Sequence, residues 1–503
     1  MGLKSTEDRE GITPRALRAA PAGSLALFLA LSFVPVFSAG AASASAEGLG
    51  PPLESGRTQL KGSFLMGRAD LVFPVDTPAF APPASPPKPR NRLRGRITMD
   101  GPAVEGEAIP LRDDNGVLAN AALQVLNLPP LDLELVQSGN DIIPMVRGSQ
   151  VSSHPYWEWI FEPGRVWDEA DDRGFSRVSM PFSLQQRNQN CTHHGMLTFL
   201  FHDDGRASRM AWQVVSETCL YFQADLWGMQ KIRYAPGPVE NAAAAIARYR
   251  QDVAARMPVK SVAALTFDYP GILQSGLRPQ APQFTTIYGL VSDGTHYIGG
   301  CATRYGPYPF CNQLSLPSYA TAKSVFAGLA YMYLKRLYPT IGNEGVAKWV
   351  PECVLPDTRW TGVDLRHVIN MTTGLYTSQN YMVDENALVA TAFIQVETHA
   401  AKADFACTEY TRRRPPGEWW VNHSSDTYLA GEVMDGLVGL LYGEGAETFT
   451  DILVTEIWQP LRLSAVTETT RRTYDAKAQP FAGYGLTFLP DDVARIGRFL
   501  NMD

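Results

Sequence analysis

Lys323 is the residue whose surroundings most need a chemical explanation. It stands in the run Ser315-Leu-Pro-Ser-Tyr-Ala-Thr-Ala-Lys-Ser-Val-Phe-Ala-Gly-Leu-Ala-Tyr331. Pro317 occupies a place where a helix can begin, and Val325, Leu329 and Met332 then recur at helical spacing among small residues, which predicts a tightly packed, mostly buried helix. An ammonium on the first turns of such a helix must reach a partner or hold a depressed pKa, because burying it unpaired costs several kcal/mol. A lysine can also lay its stem on apolar surface and keep its head in water, with no chemistry at all. The rest of the chain has to decide between these.

The run around Lys323 resembles the nucleophile helix of the serine β-lactamase, penicillin-binding protein and esterase superfamily. The motif there is Ser-x-x-Lys, and Ala-Lys-Ser-Val-Phe-Ala-Gly-Leu-Ala fits its usual continuation. Three residues before the lysine, however, this chain has Ala320, so the nucleophile position is substituted. Ser318 lies five residues before Lys323, and five residues turn a helix by about 500°, which splays the two side chains apart. Ser324 is adjacent to the lysine and points elsewhere.

Three further stretches follow in the superfamily's order. Trp360-Thr-Gly-Val-Asp-Leu-Arg-His-Val-Ile-Asn-Met-Thr-Thr-Gly-Leu375 is similar to a helix and turn carried by superfamily esterases and aminohexanoate-oligomer hydrolases. The stretch Pro416-Gly-Glu-Trp-Trp-Val-Asn-His-Ser-Ser-Asp-Thr-Tyr-Leu-Ala-Gly431 resembles the second catalytic motif, with Asn422 at the tyrosine position and Ser424 two residues later. Asp426 and Thr427 read there as helix-capping residues. Residues 482–500 resemble the Gly-rich strand and the helix after it. The third motif, on an edge strand, lies beyond this point in relatives, and the sequence stops at Asp503.

The resemblance covers roughly residues 284–503. It implies an α/β fold: a β-lactamase/transpeptidase-like domain, C-terminally incomplete, over residues 259–503, with a β-rich domain at 96–258 before it. In active relatives the serine attacks a carbonyl, the lysine takes up its proton, the tyrosine assists, and backbone amides with the third motif hold the oxyanion. Of those side chains only Lys323 stands at its matching position. The implied function is an exported serine hydrolase acting on amide or ester bonds, impaired in this chain. The alternative is a non-catalytic ligand-binding or structural protein that keeps the pocket for a small-molecule or peptide-like amide or ester. A third reading is a rewired enzyme using Ser318, Ser324 or a bound water. No cofactor is called for.

Composition agrees with a large globular chain. Of 503 residues, 45% are hydrophobic and 19% charged, with a net charge of -7, so there is no basic footprint for nucleic acid. Arg15 and Arg18, an apolar run from Leu25 to Phe37 and Ala-x-Ala triplets at 42–46 read as an export signal over 1–46, cleaved near Ala46. An uncleaved N-terminal membrane anchor is the other reading of that segment. Residues 47–95 read as a proline-rich linker, densest at 78–89.

Six cysteines in an exported chain favour disulfides, and although six allow 15 connectivities, sequence neighbours suggest Cys191 with Cys219, Cys301 with Cys311, and Cys353 with Cys407. The β-prone runs 195–202 and 208–215, joined by Asp203-Asp204-Gly205, read as a hairpin with the first cysteine pair at its open end. A second hairpin is expected over 286–301. The tryptophans at 157, 159, 167, 212 and 227, with Phe161, either line a groove or fill a sandwich core. Cys191, His193, His194 and His202 match no common zinc spacing, and no metal site is assigned.

Overall fold

In the segment Leu131–Ser138, Leu131, Leu133 and Leu135 are buried while Asp132 is exposed, the period-two pattern of a strand with one face in a core. The computed structural model describes residues 60–67, 74–99, 108–271 and 279–502. Between residues 94 and 236 it builds an antiparallel sheet of 11 strands from segments of this kind. They are β1 (Arg94–Met99), β2 (Ala108–Asp113), β3 (Leu131–Ser138), β4 (Asp141–Pro144), β5 (Trp157–Phe161), β6 (Gly164–Trp167), β7 (Ser176–Gln186), β8 (Thr192–Phe201), β9 (Met210–Thr218), β10 (Ala224–Gln230) and β11 (Arg233–Pro236). The order is β11-β1-β3-β4-β6-β7-β8-β9-β10-β2, with β5 also paired to β7.

Strands β8 and β9 are the first expected hairpin, paired from Thr192 opposite Thr218 to Thr198 opposite Ala211 with a register shift between His194 and Gly195. Its open end is closed by the Cys191–Cys219 disulfide, with the Cα atoms 4.6 Å apart. The tryptophans at 157, 159, 167, 212 and 227 and Phe161 are at most 3% exposed and form the core of the sheet, leaving them no groove to line. Part of the proline-rich stretch is packed against the same core. Val75, Ala79 and Phe80 are buried in a cluster with Trp227, and the Phe80 ring meets Trp227 edge-on. The export segment at 1–46 lies outside the described residues. Among the described residues no helix is long and apolar enough to cross a membrane.

The Ala242–Ala255 helix lays Tyr249 and Ile246 on Val136 and Ile143 of the sheet. After it come β12 (Val259–Ser261), β13 (Ile287–Ser292) and β14 (Thr295–Gly300), a small sheet in the order β12-β14-β13. The β13–β14 hairpin turns at Asp293-Gly294, both with positive φ (47° and 73°), as a tight hairpin turn requires. The Pro490–Leu500 helix packs against β13.

That helix opens with a π-helical stretch, Lys323–Gly328, and continues as an α-helix, Leu329–Leu337. Val325, Phe326, Leu329 and Leu334 pack with Leu429, Val433 and Met434 of the Ser424–Tyr442 helix and with Phe449, Leu453 and Trp458. Met332 is 56% exposed, contrary to the helical spacing. The π turn inserts an extra residue per hydrogen-bonded ring and rotates the face that follows it. Cys353–Cys407 ties this core, and Cys301–Cys311 closes the loop beyond β14. The sheet and the helical layer are joined by buried polar contacts. Arg471 and Glu158 pair at 2.6 Å with side chains 3% and 1% exposed, and Asn188 Nδ2 donates to the carbonyls of Ile394, Gln395 and Val396.

Candidate functional site

Backbone pairing between two distant segments places the site. Val421 N donates to Met371 O at 3.0 Å, and Gly417 N donates to Thr372 O at 2.7 Å. The turn between them needs a glycine, because Gly374 has φ +77° and a Cβ there would stand 2.2 Å from Arg414 O. This laces Met371 and Asn422 together beside the first turn of the central helix.

Lys323 points into that junction. Its Nζ donates to Asn422 Oδ1 at 2.7 Å and contacts Met371 Sδ at 3.7 Å, with Glu385 Oε1 4.0 Å away. Asn422 Nδ2 in turn donates to Met382 Sδ at 3.1 Å. Burial holds the Lys323 pKa below the usual lysine value, and the carboxylates of Glu385 and Asp426 pull in the opposite direction. So the lysine is neither snorkelling into bulk water nor unpaired.

Ala320 is exposed, one turn before Lys323, and its carbonyl accepts the lysine's backbone N–H at 3.0 Å. Its methyl group offers no nucleophile. Ser318 is absorbed in backbone pairing: its Oγ accepts from Leu486 N at 3.1 Å and donates to Tyr319 O at 3.1 Å. Ser324 is exposed next to Lys323. Ser424 starts the Ser424–Tyr442 helix, and both its backbone N–H (2.9 Å) and its Oγ donate to the Glu385 carboxylate. A carboxylate at the N-terminus of a helix meets free N–H groups and the positive end of the dipole. The helix is thus capped by Glu385 from another element, whereas Asp426, expected as a cap, lies buried in the first turn.

Directly beneath lies an ion pair that sequence reasoning missed. His423 Nε2 is 3.0 Å from Asp384 Oδ2, with both side chains at most 2% exposed. Asp384 also accepts from Thr377 N at 2.8 Å and Ser378 N at 2.7 Å, and the Tyr410 ring stacks on the imidazole at 4.0 Å. Burial by itself would lower the His423 pKa, but Asp384 and Asp426 outweigh it and raise it to about 9. For Asp384, burial opposes and the His423 and backbone donors win, holding it below the ordinary carboxylate value. His423 is therefore a fixed imidazolium that anchors the segment carrying Asn422 and Ser424.

Among the described residues, three of the 13 non-glycine residues with positive φ border the same spot. Tyr319 (φ 43°), Met371 (φ 53°) and Met382 (φ 60°) are non-glycine residues in left-handed conformation. They respectively precede Ala320, touch Lys323 and touch Asn422. Each costs on the order of 1 kcal/mol or more and persists where the surroundings over-determine it, which is typical of binding and catalytic sites. Beyond Asn422 a groove of about 350 Å³ opens, lined by Gln379, Asn380, Tyr381, Glu418, Trp419, Trp420, Val421 and Asn422.

Glu385, Asp384, Met371 and Met382 were not readable as site residues. Met371 falls within a recognised stretch but carries no signal for contact with Lys323, and nothing local ties Asp384 and Glu385 to residues 39 positions further on.

No protein-family profile matches this chain, and no curated protein does. Among solved structures it is similar to the D-amino acid amidase from Ochrobactrum anthropi SV3, in its complexes with D-phenylalanine (TM-score 0.27) and L-phenylalanine (TM-score 0.26), at 15% identity over 42% of this chain. The match spans 62% and 63% of those amidase chains. Scores this low carry no functional inference.

Proposed function

We propose that this chain is an exported, β-lactamase-related protein that holds a small-molecule or peptide-like amide or ester in the Lys323 cleft and turns it over poorly or not at all. The observation that carries the proposal is the Lys323–Asn422 hydrogen bond beside an alanine. A buried lysine with a depressed pKa is suited to accept a proton from a nucleophile, yet the position one turn earlier bears only a methyl group. Its partner is a carboxamide, which has no proton to relay at ordinary pH. What is left is a cationic donor, able to bind a ligand carbonyl or carboxylate. The three disulfides fit an oxidising compartment.

One observation favours a second reading, weak acyl transfer by Ser424. Its Oγ is bonded to Glu385, a carboxylate 4.0 Å from Lys323. A fluorophosphonate probe followed by peptide mass mapping separates the two. The proposal expects no label on the natural chain and label at position 320 in Ala320→Ser. Label at Ser424 would establish the second reading, and no label in Ala320→Ser would refute the assignment of that position.

A further inference from the structure

We infer that the groove beside Asn422, the partner of Lys323, is a saccharide-binding platform formed by Tyr381, Trp419 and Trp420. It rests on the reading of the Lys323 cleft as a ligand site and names the class of group bound beside it.

Of the ten tryptophans in the chain, Trp419 (43%) and Trp420 (41%) are the two exposed ones, and Tyr381 beside them is 80% exposed. Burying a large apolar side chain is worth roughly 1.5–3 kcal/mol, so three neighbouring rings left in water forgo a substantial stabilisation that the rest of the fold takes.

The rings are also held in position. Tyr381 and Trp420 lie near-parallel, with centroids 6.1 Å apart at 23°. Trp419 Nε1 donates to Gln379 O at 3.4 Å, and the Arg414 guanidinium sits 5.8 Å from its centroid.

The chemistry around the rings selects the ligand. An aliphatic or protein partner would call for a wider apolar rim. Here the rings are interleaved with Gln379, Asn380, Glu418 and Asn422, which offer amide donors, carbonyl acceptors and a carboxylate within the same groove of about 350 Å³. A pyranose with equatorial hydroxyls presents C–H faces, whose slightly positive hydrogens match the negative faces of aromatic rings, and a rim of hydroxyls for just such polar groups. The groove volume is at the lower end for ligand sites, enough for a short stretch of glycan. Asn422 belongs both to the groove and to the Lys323 contact, so a ligand on the platform lies against the side chain that holds Lys323.

The test is a tryptophan-fluorescence titration of the full chain with triacetylchitotriose and with cellotriose. Saturable binding of either, weakened about tenfold or more in Trp419→Ala and in Trp420→Ala and retained in Trp420→Phe, is the expected result. No saturable change with either sugar, or binding undiminished in both alanine variants, overturns the inference. The serine-probe experiment on Ala320→Ser does not depend on sugar, so a negative titration with a labelled Ala320→Ser sinks the platform alone.

Discussion

Lys323 Nζ and Asn422 Oδ1 meet at 2.7 Å although 99 residues separate them. The contact is made possible by the backbone lacing of 371–374 onto 413–421. It leaves the lysine facing a neutral amide, with the nearest negative charge on Glu385 at 4.0 Å. In this geometry burial lowers the Lys323 pKa, and the carboxylates of Glu385 and Asp426 oppose that shift.

Neutralising Glu385 should therefore lower the Lys323 pKa further. In Glu385→Gln the burial that depresses the pKa persists while one opposing carboxylate is gone. The ¹³C signal of reductively methylated Lys323, followed with pH and assigned by its loss in Lys323→Met, should titrate at lower pH in the variant. An unchanged or higher midpoint would show that Glu385 does not act on the lysine.

The His423–Asp384 pair should impose a pH window on stability. His423 titrates at about 9 in the folded chain, above its ordinary 6.5, so its contribution is complete below pH 6.5 and is lost as pH rises through about 9. Asp384 is held below 3.8, so its share is present above that value and is lost as pH falls through its lower folded value. Maximum benefit thus lies between pH 3.8 and 6.5. Urea unfolding at pH 6 and pH 9.5 should show the natural chain losing about 3 kcal/mol more than His423→Phe across that interval. Equal losses in the two proteins would refute the ion pair.

The Arg471–Glu158 pair crosses between the helical layer and the sheet with both side chains nearly excluded from water. Arg471→Met leaves the buried Glu158 carboxylate with hydrogen bonds from Ser149 and Tyr474 but with Arg187, at 3.9 Å, as its remaining cation, so it should cost about 3 kcal/mol. Arg471→Met combined with Glu158→Gln should recover part of that loss, because the buried carboxylate is gone. Thermal unfolding of these two variants and of Glu158→Gln alone checks it; additive losses would mean that the pair is not coupled.

What could be read from sequence was local or anchored by a recognisable stretch. The hairpin at 192–218 follows from two β-prone runs around Asp203-Asp204-Gly205, and the three disulfide pairs follow from neighbouring cysteines. The resemblance of two separate stretches put Lys323, Asn422 and Ser424 at one site without saying which of the last two the lysine meets, and the structure has it on Asn422. What escaped depends on tertiary structure. Glu385 caps a helix whose first residue is 39 positions away, and Met332 faces solvent because a π turn shifts the helix face. Val75 and Phe80 belong to a core although they sit at a proline-rich stretch, since proline density describes backbone stiffness and not what the intervening apolar side chains touch.

The most direct test of the central claim is steady-state hydrolysis of p-nitrophenyl esters and a chromogenic β-lactam by the natural chain, by Ala320→Ser and by Ala320→Ser with Asn422→Tyr. Loss of the nucleophile from a catalytic serine unit costs on the order of 10⁶ in rate. The natural chain should therefore show no turnover above background, Ala320→Ser little, and the double variant more than the single one. Turnover by the natural chain at about 1 to 10³ per second would contradict the account and place the nucleophile elsewhere.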